Sequence, residues 1–217
     1  MNIHHSNILK VNDFFISKDQ LLCIDMDFYE LGDLVQLTKD DSTCSEQILL
    51  QIIFQMCSAL DYIHSSMKLI HRDIKPSNIF VKSLDKDNIE IVIADFGLAK
   101  ANQGSTNNSY AGTPLFMSPE LGYGGKYFYN TDIYSLGVTI YQIITKDTFT
   151  SISQLYVTKD QKEVSQLLKK KMEEPGQYSQ YIIDLTLSML EKDSAIRPQA
   201  QDILNNSVFD QLRRRRR

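Results

Sequence analysis

The sequence predicts an α+β fold, with short strands near its start and middle and a larger body that is mostly helical. Three observations carry this. Apolar residues fall in short runs between Asn7 and Phe28 and again between 79 and 93, the habit of strands. They recur at spacings of three and four from Glu46 to His64 and in later segments, the habit of helices. At 217 residues, 42% hydrophobic and 23% charged, the chain can bury one substantial core and is too apolar for disorder.

The first apolar runs, Ile8-Leu9, Phe14-Phe15-Ile16 and Leu21 to Ile24, are broken by Ser17-Lys18-Asp19-Gln20, so they read as two strands of a hairpin. Ile48, Leu49, Ile52, Ile53, Met56, Leu60 and Ile63 then line up as a buried helix, with Ser42 or Ser45 as its N-cap. Residues 79–82 and 89–93 are strand-like on either side of the polar turn Leu84 to Asn88, a second hairpin. Ala101 to Ser109 has almost nothing to bury and reads as a mobile loop. Helices follow over Thr131 to Thr145, Gln161 to Lys171 and Ser179 to Leu190, and Pro198 suits the first turn of a last short helix ending near Asn205. No internal repeat is visible.

Cys23, Cys44 and Cys57 are odd in number and lack the spacing of a zinc site or a disulfide framework, so they read as reduced structural thiols. The start, Met1-Asn2-Ile3-His4-His5, lacks the order of a signal peptide, and no apolar run approaches the length of a membrane span. A cytoplasmic protein is expected. Net charge is -4, but Arg213 to Arg217 set a basic tail against an acidic body. Such a run can serve as a nuclear address or bind an anionic surface; the plainer reading is a solvated, mobile terminus, and no nucleic acid partner is expected.

The stretch Ile70-His71-Arg72-Asp73-Ile74-Lys75-Pro76-Ser77-Asn78 and, seventeen residues on, Asp95-Phe96-Gly97 flank the second hairpin. Phosphoryl transfer from ATP needs cations to neutralise phosphates and one group to orient a hydroxyl and take its proton. Asp73 suits the proton, Asn78 and Asp95 are hard oxygen ligands for magnesium, and Lys75 can meet the transferring phosphate.

These residues resemble the catalytic loop and metal-binding motif of eukaryotic protein kinases. Matching five residue types at fixed positions has a chance probability on the order of one in millions per start. The resemblance continues in order along the chain. Gly112-Thr113-Pro114 and Ser118-Pro119-Glu120 are similar to the end of the activation segment, with Ser118 for the usual alanine. Asp132 with Ser135-Leu136-Gly137 is similar to the helix that anchors the catalytic loop, with Tyr134 where tryptophan is common, and Arg197 matches the late arginine that pairs with the residue matching Glu120. The resemblance implies a kinase-like fold keeping only the last strands of the small-lobe antiparallel sheet: residual strands in 1–26, a hinge in 27–33, the large lobe in 34–212 and a basic tail in 213–217.

It also implies ATP and magnesium as cofactors and protein serines and threonines as substrates. Met26 would gate the adenine pocket. Asp27 and Tyr29 would meet the adenine edge through their backbone, Asp33 the ribose, and Phe80 would floor the ring; the same apolar stretch reads equally as core. Lys75 with Thr113 is the pattern of serine/threonine rather than tyrosine kinases. Arg72 resembles the arginine that pairs with a phosphate on the activation segment, and Ser109 is the expected acceptor, with Ser105 and Thr106 as rivals and a solvated loop serine as the plain alternative. Thr113 is grouped with these as regulatory. The subfamily is similar both to never-in-mitosis-A-related kinases and to the stress kinases of translation initiation.

A glycine-rich loop, a strand lysine and its helix glutamate are expected ahead of this machinery, yet no glycine precedes Gly32 and His5-Ser6-Asn7-Ile8 resembles the loop just after that helix. Lys10 and Lys18 fall too late in order to replace the lysine. The expectation is a sheet edge left open, with Ile8, Val11, Phe14 and Ile24 poorly covered unless another segment or a partner covers them. Three readings follow: an N-terminally shortened serine/threonine kinase with weak or undetectable activity by itself, a pseudokinase-like interaction module, and a regulatory form that competes for substrates.

Overall fold

The computed structural model describes residues 4–39, 44–101, 112–122 and 124–215. Two buried helices form its centre. Helix α2 (Glu46–Asp61) starts at Ser45, whose hydroxyl accepts the Ile48 N–H at 3.2 Å, while Glu46 sits where the positive helix end favours an acid. Helix α4 (Tyr129–Thr145) is buried along nearly its whole length, its polar Asp132, Ser135, Thr139 and Gln142 included, which makes it a core helix. It ends at Lys146 in the left-handed conformation, φ 59°.

Helix α2 does not stop at Asp61 but runs on through a π turn, Tyr62–Ser66. The continuous helix of 21 residues is long and apolar enough to cross a bilayer, which corrects the expectation that no stretch reaches that length. Its apolar side chains are largely buried inside the protein, where they pack on α4, on helix α8 (Ala200–Leu204) and on strand β5 (Asn88–Ile93).

The first hairpin pairs β1 (Val11–Ile16) with β2 (Leu22–Met26), as expected. Phe14 and Ile16 lie across from Ile24 and Leu22, so one face of this two-stranded sheet is a continuous apolar patch. That face is uncovered, with Phe14 at 72% and Ile24 at 54% exposure. Ile8 departs from expectation: it is buried, because the chain around it bridges to Ile93 and enters the main core.

The second hairpin pairs β4 (Ile79–Asp85) with β5, and its strands run closer to the turn than expected. Neither edge is open. On one side Gly32 and Leu34 bond to Val81 and Ile79. On the other, side chains replace a strand: Gln51 bonds to Asp87 and Ile89, and Gln55 to Ile89 and Ile91. Asn7 completes the row, its amide reaching Gln55 and the Ile91 carbonyl. Spaced four apart on α2, the two glutamines satisfy the backbone groups that a third strand would take.

A short helix α1 (Val35–Lys39) precedes α2, and a two-residue strand β3 (Leu69–Ile70) pairs with β6 (Lys100–Ala101). Helix α3 (Pro119–Gly122) precedes α4, followed by α5 (Ile152–Thr158), α6 (Gln161–Glu173) and α7 (Gln180–Met189). Asp160 and Glu163 cap the start of α6 reciprocally, at 2.8 and 3.1 Å. Pro198 stands before the Gln199 cap of α8 rather than in the first helical turn. The chain then continues beyond Asn205: Phe209 is fully buried, 5.7 Å from the Phe54 ring, and leads into α9 (Asp210–Arg215). The expected solvated tail is therefore partly wrong, because Arg213 is folded back onto the Leu204 carbonyl and Asp210.

Candidate active site

Residues 71–78 link β3 to β4, and α4 holds their backbone. Asp132, wholly buried, accepts the amides of His71 and Arg72 on its two oxygens at 2.9 Å each, and His64 Nε2 lies 2.8 Å from the oxygen that takes the His71 amide. Burial alone would raise the Asp132 pKa, but the His64 hydrogen bond, the nearby imidazoles and the backbone donor hold it below the ordinary value. These bonds matter because Arg72 has φ 70°, a left-handed conformation costly for an arginine. Gly112, at φ 110°, approaches Arg72 so closely that a Cβ would stand 2.6 Å from the Arg72 carbonyl oxygen, so only glycine fits.

Asp73 is buried, and donors of its own chain surround it. One carboxylate oxygen accepts the Thr113 hydroxyl at 2.8 Å and the Thr113 amide at 3.1 Å. The other lies 2.7 Å from Lys75 Nζ and accepts from Asn78 Nδ2 at 3.0 Å. Lys75 also donates to the Thr113 hydroxyl at 2.7 Å. Burial pushes the Asp73 pKa up, but Lys75, Thr113 and Asn78 outweigh it and keep the group ionised at neutral pH. His71 has Nε2 at 3.0 Å from the Ala94 carbonyl, so Nε2 carries the proton and Nδ1 is left to accept the Asp73 amide. Its ring meets Phe96 edge to face at 4.8 Å, and burial keeps it neutral.

Beside this loop lies a cavity of about 570 Å³. Met26 and Phe80 line it together with Asn78 and Asp95, so four residues singled out in the sequence meet at one cavity. Asp95, φ 63°, caps the turn Phe96–Leu98 by accepting the Gly97 amide. Asn78 is oriented by giving its amide hydrogens to Asp73. Among the described residues there is no cluster of three or more His, Cys, Asp or Glu. Two hard oxygen donors facing one cavity instead suit a magnesium ion that takes its other ligands from phosphates and water.

Other predicted residues are elsewhere. Asp27 accepts from Asn12, Tyr29 stacks on Phe80 at 5.9 Å while its carbonyl closes a turn to Gly32, and Asp33 caps α1 at the Val35 amide. None of the three lines the cavity. Arg72 lies away from it, its Nε donating to the Leu98 carbonyl at 2.6 Å. Ser109, Ser105 and Thr106 fall outside the described residues. Two contributors carry no motif in the sequence: His64, which supports Asp132, and His4, which lines the cavity; Lys10, too late in order to replace the missing lysine, lines it as well. For His64 a signal existed, since it ends the apolar period of α2 on its buried face.

A bidentate ion pair braces the far side of the site, as expected. Arg197 bonds both oxygens of Glu120 at 2.8 and 2.7 Å, caps the Glu191 carbonyl, and lies 4.9 Å above the Tyr134 ring.

This anchored loop, with Asn78 and Asp95 at one cavity, is the arrangement of a protein kinase. The chain belongs to that family: residues 1–209 match the protein kinase domain model. Among its relatives it is 33% identical to mouse serine/threonine-protein kinase Nek9 over 99% of this chain and 21% of that one. It is 31% identical to the probable serine/threonine-protein kinase nek2 of Dictyostelium discoideum, over 95% of this chain and 50% of the other. The chain thus spans half or less of the length of these relatives. In fold it is similar to a chain of the CAK complex from Chaetomium thermophilum bound to ATP-gamma-S, with TM-score 0.74, 25% identity and coverage of 95% and 72% of the two chains. A chain of the yeast RNA Pol II CTD kinase CTDK-1 complex, at 18% identity and TM-score 0.76 over 95% and 77%, shares the fold.

Proposed function

We propose that this chain carries the phosphoryl-transfer site of an ATP-dependent serine/threonine kinase. The observation that carries the reading is the setting of Asp73, an ionised carboxylate that already holds one hydroxyl, that of Thr113, beside the Lys75 ammonium. A substrate hydroxyl taking that position is oriented by Asp73 and gives it a proton as its oxygen attacks the γ-phosphorus. The bond from phosphorus to the bridging oxygen of ADP breaks, and ADP leaves with the electron pair. Lys75 meets the charge that collects on the moving group. Asn78 and Asp95 would hold magnesium, which would supply positive charge against the phosphates.

In this reading the adenine lies against Met26 and Phe80, which line the cavity; Asp27, Tyr29 and Asp33 stand outside its lining, so contacts of their backbone with the adenine edge and of Asp33 with the ribose rest on the family resemblance alone. Residues 27–33 then act as a hinge between a small-lobe remnant in 1–26 and the large lobe in 34–212. Arg72 pairs with a phosphate on the activation segment, with Ser109 as the acceptor. The printed names of the relatives support serine and threonine as acceptors, and the ATP-gamma-S of one solved neighbour supports ATP. The exposed apolar face of β1 and β2 favours a covering segment, from a longer chain or a partner, over a free surface. That same face also favours the alternative of an interaction module.

The test is transfer from γ-labelled ATP to mixed serine, threonine and tyrosine peptides. Label on serine or threonine, dependent on magnesium and lost with Asp95→Asn, is the expected result. Nucleotide binding without transfer from any form that includes the covering segment would favour the interaction module.

A further inference from the structure

Arg72 is held at three points. Its amide is fixed to Asp132, its Nε donates to the Leu98 carbonyl at 2.6 Å, and its guanidinium carbon lies 5.2 Å from the centre of the half-buried Tyr127 ring. The ring lies within cation–π distance of the guanidinium and the carbonyl takes the Nε position. Among the described residues the two terminal nitrogens donate no hydrogen bond and form no ion pair with a carboxylate.

We infer that Tyr127 and the Leu98 carbonyl form a seat that pre-orients Arg72 as a receptor for a phosphate dianion, with Tyr127 as its positioning residue. This rests on the reading of Arg72 as a phosphate partner and adds what makes the arginine ready for it. A free arginine must lose rotamer freedom to grip an anion; one already pinned by a ring, a carbonyl and a fixed backbone loses less. A planar guanidinium donating in pairs matches phosphate oxygens, and ring contact at this distance is attractive for a cation. Leu98 directly follows Asp95-Phe96-Gly97, so the seat ties an anion at Arg72 to the turn that carries Asp95.

The test uses the whole chain and the NMR signal of the Arg72 Nε–H, assigned by its loss in Arg72→Lys. Seated against the ring, this proton is expected upfield of free arginine in the unaltered protein, and its absence from that position overturns the inference without any variant. Inorganic phosphate, against chloride at equal ionic strength, is expected to shift the signal in the wild type and in Tyr127→Phe. With Tyr127→Leu the midpoint is expected to rise about fivefold. If phosphate moves the signal only after phosphatase treatment, the occupant is a phosphorylated side chain of the protein; if it moves it equally before, the seat takes free phosphate. Equal midpoints in all three Tyr127 forms sink the role of Tyr127 and leave the Arg72 reading standing. No response in the phosphatase-treated wild type sinks both.

Discussion

Asp132 touches no substrate in the proposed reaction, yet three donors end on it and the strained Arg72 backbone depends on them. The sequence made Asp73, Asn78 and Asp95 readable because their chemistry dictates residue type at fixed spacing. Tyr127 acts through Arg72, and its position carries no residue signature along the chain, whereas His64, which acts through Asp132, is marked only by ending an apolar period on a buried face. Tyr134 is a different case: it is fully buried, its hydroxyl has no hydrogen-bond partner among the described residues, and burial pushes its pKa well above 10.0. Tyr134→Phe removes an unsatisfied polar atom and keeps the ring under Arg197, so chemical denaturation should show a gain of about 1 kcal/mol. His71 gives a pH dependence. Burial depresses its pKa below 6.5 while Asp132 pulls the other way, so the unfolded chain takes a proton that the folded one refuses. Stability is then complete above the ordinary histidine pKa and lost as pH falls beneath it, with a second loss from the depressed Asp73 starting below 3.8. Thermal melts across this range should show the first decline, and His71→Asn should flatten it.

At the scale of elements, periodicity was a good guide wherever one face decides burial. Both hairpins, α2, α4, α6 and α7 follow from apolar spacing. What spacing missed was short or set by distant partners: α1 and α5 have too few turns to show a period, and α9 exists because Phe209 is drawn to Phe54. The Gln51 and Gln55 row was also invisible, since glutamines in an apolar helix read as its polar face until β5 is placed beside them. Gln55→Leu would take away the side-chain partner of the buried Ile89 carbonyl and Ile91 amide. The expected cost is about 3 kcal/mol in urea unfolding.

For the molecule as a whole, the large helical body is braced by Arg197 and Glu120 at one end and by the glutamine row at the other, while β1 and β2 stand with an apolar face in solvent. Sequence order foresaw that exposure for Val11, Phe14 and Ile24, and failed for Ile8 because its bridge to Ile93 joins segments far apart in the chain. Phe14→Thr with Leu22→Thr should lower the aggregated fraction in light scattering and leave the thermal midpoint within about 1 °C, because neither side chain is packed in the core. The proposed adenine contacts of Asp27 and Tyr29 come from the family resemblance, because backbone atoms have no residue signature and neither residue lines the cavity. The central claim is that Asp73 orients and deprotonates a serine or threonine hydroxyl. Its most direct test is the rate of label transfer from ATP to a serine/threonine peptide by wild type and Asp73→Asn. The expected result is slow transfer by the wild type, reduced at least about a hundredfold in the variant at unchanged nucleotide affinity; equal transfer by the two would contradict it.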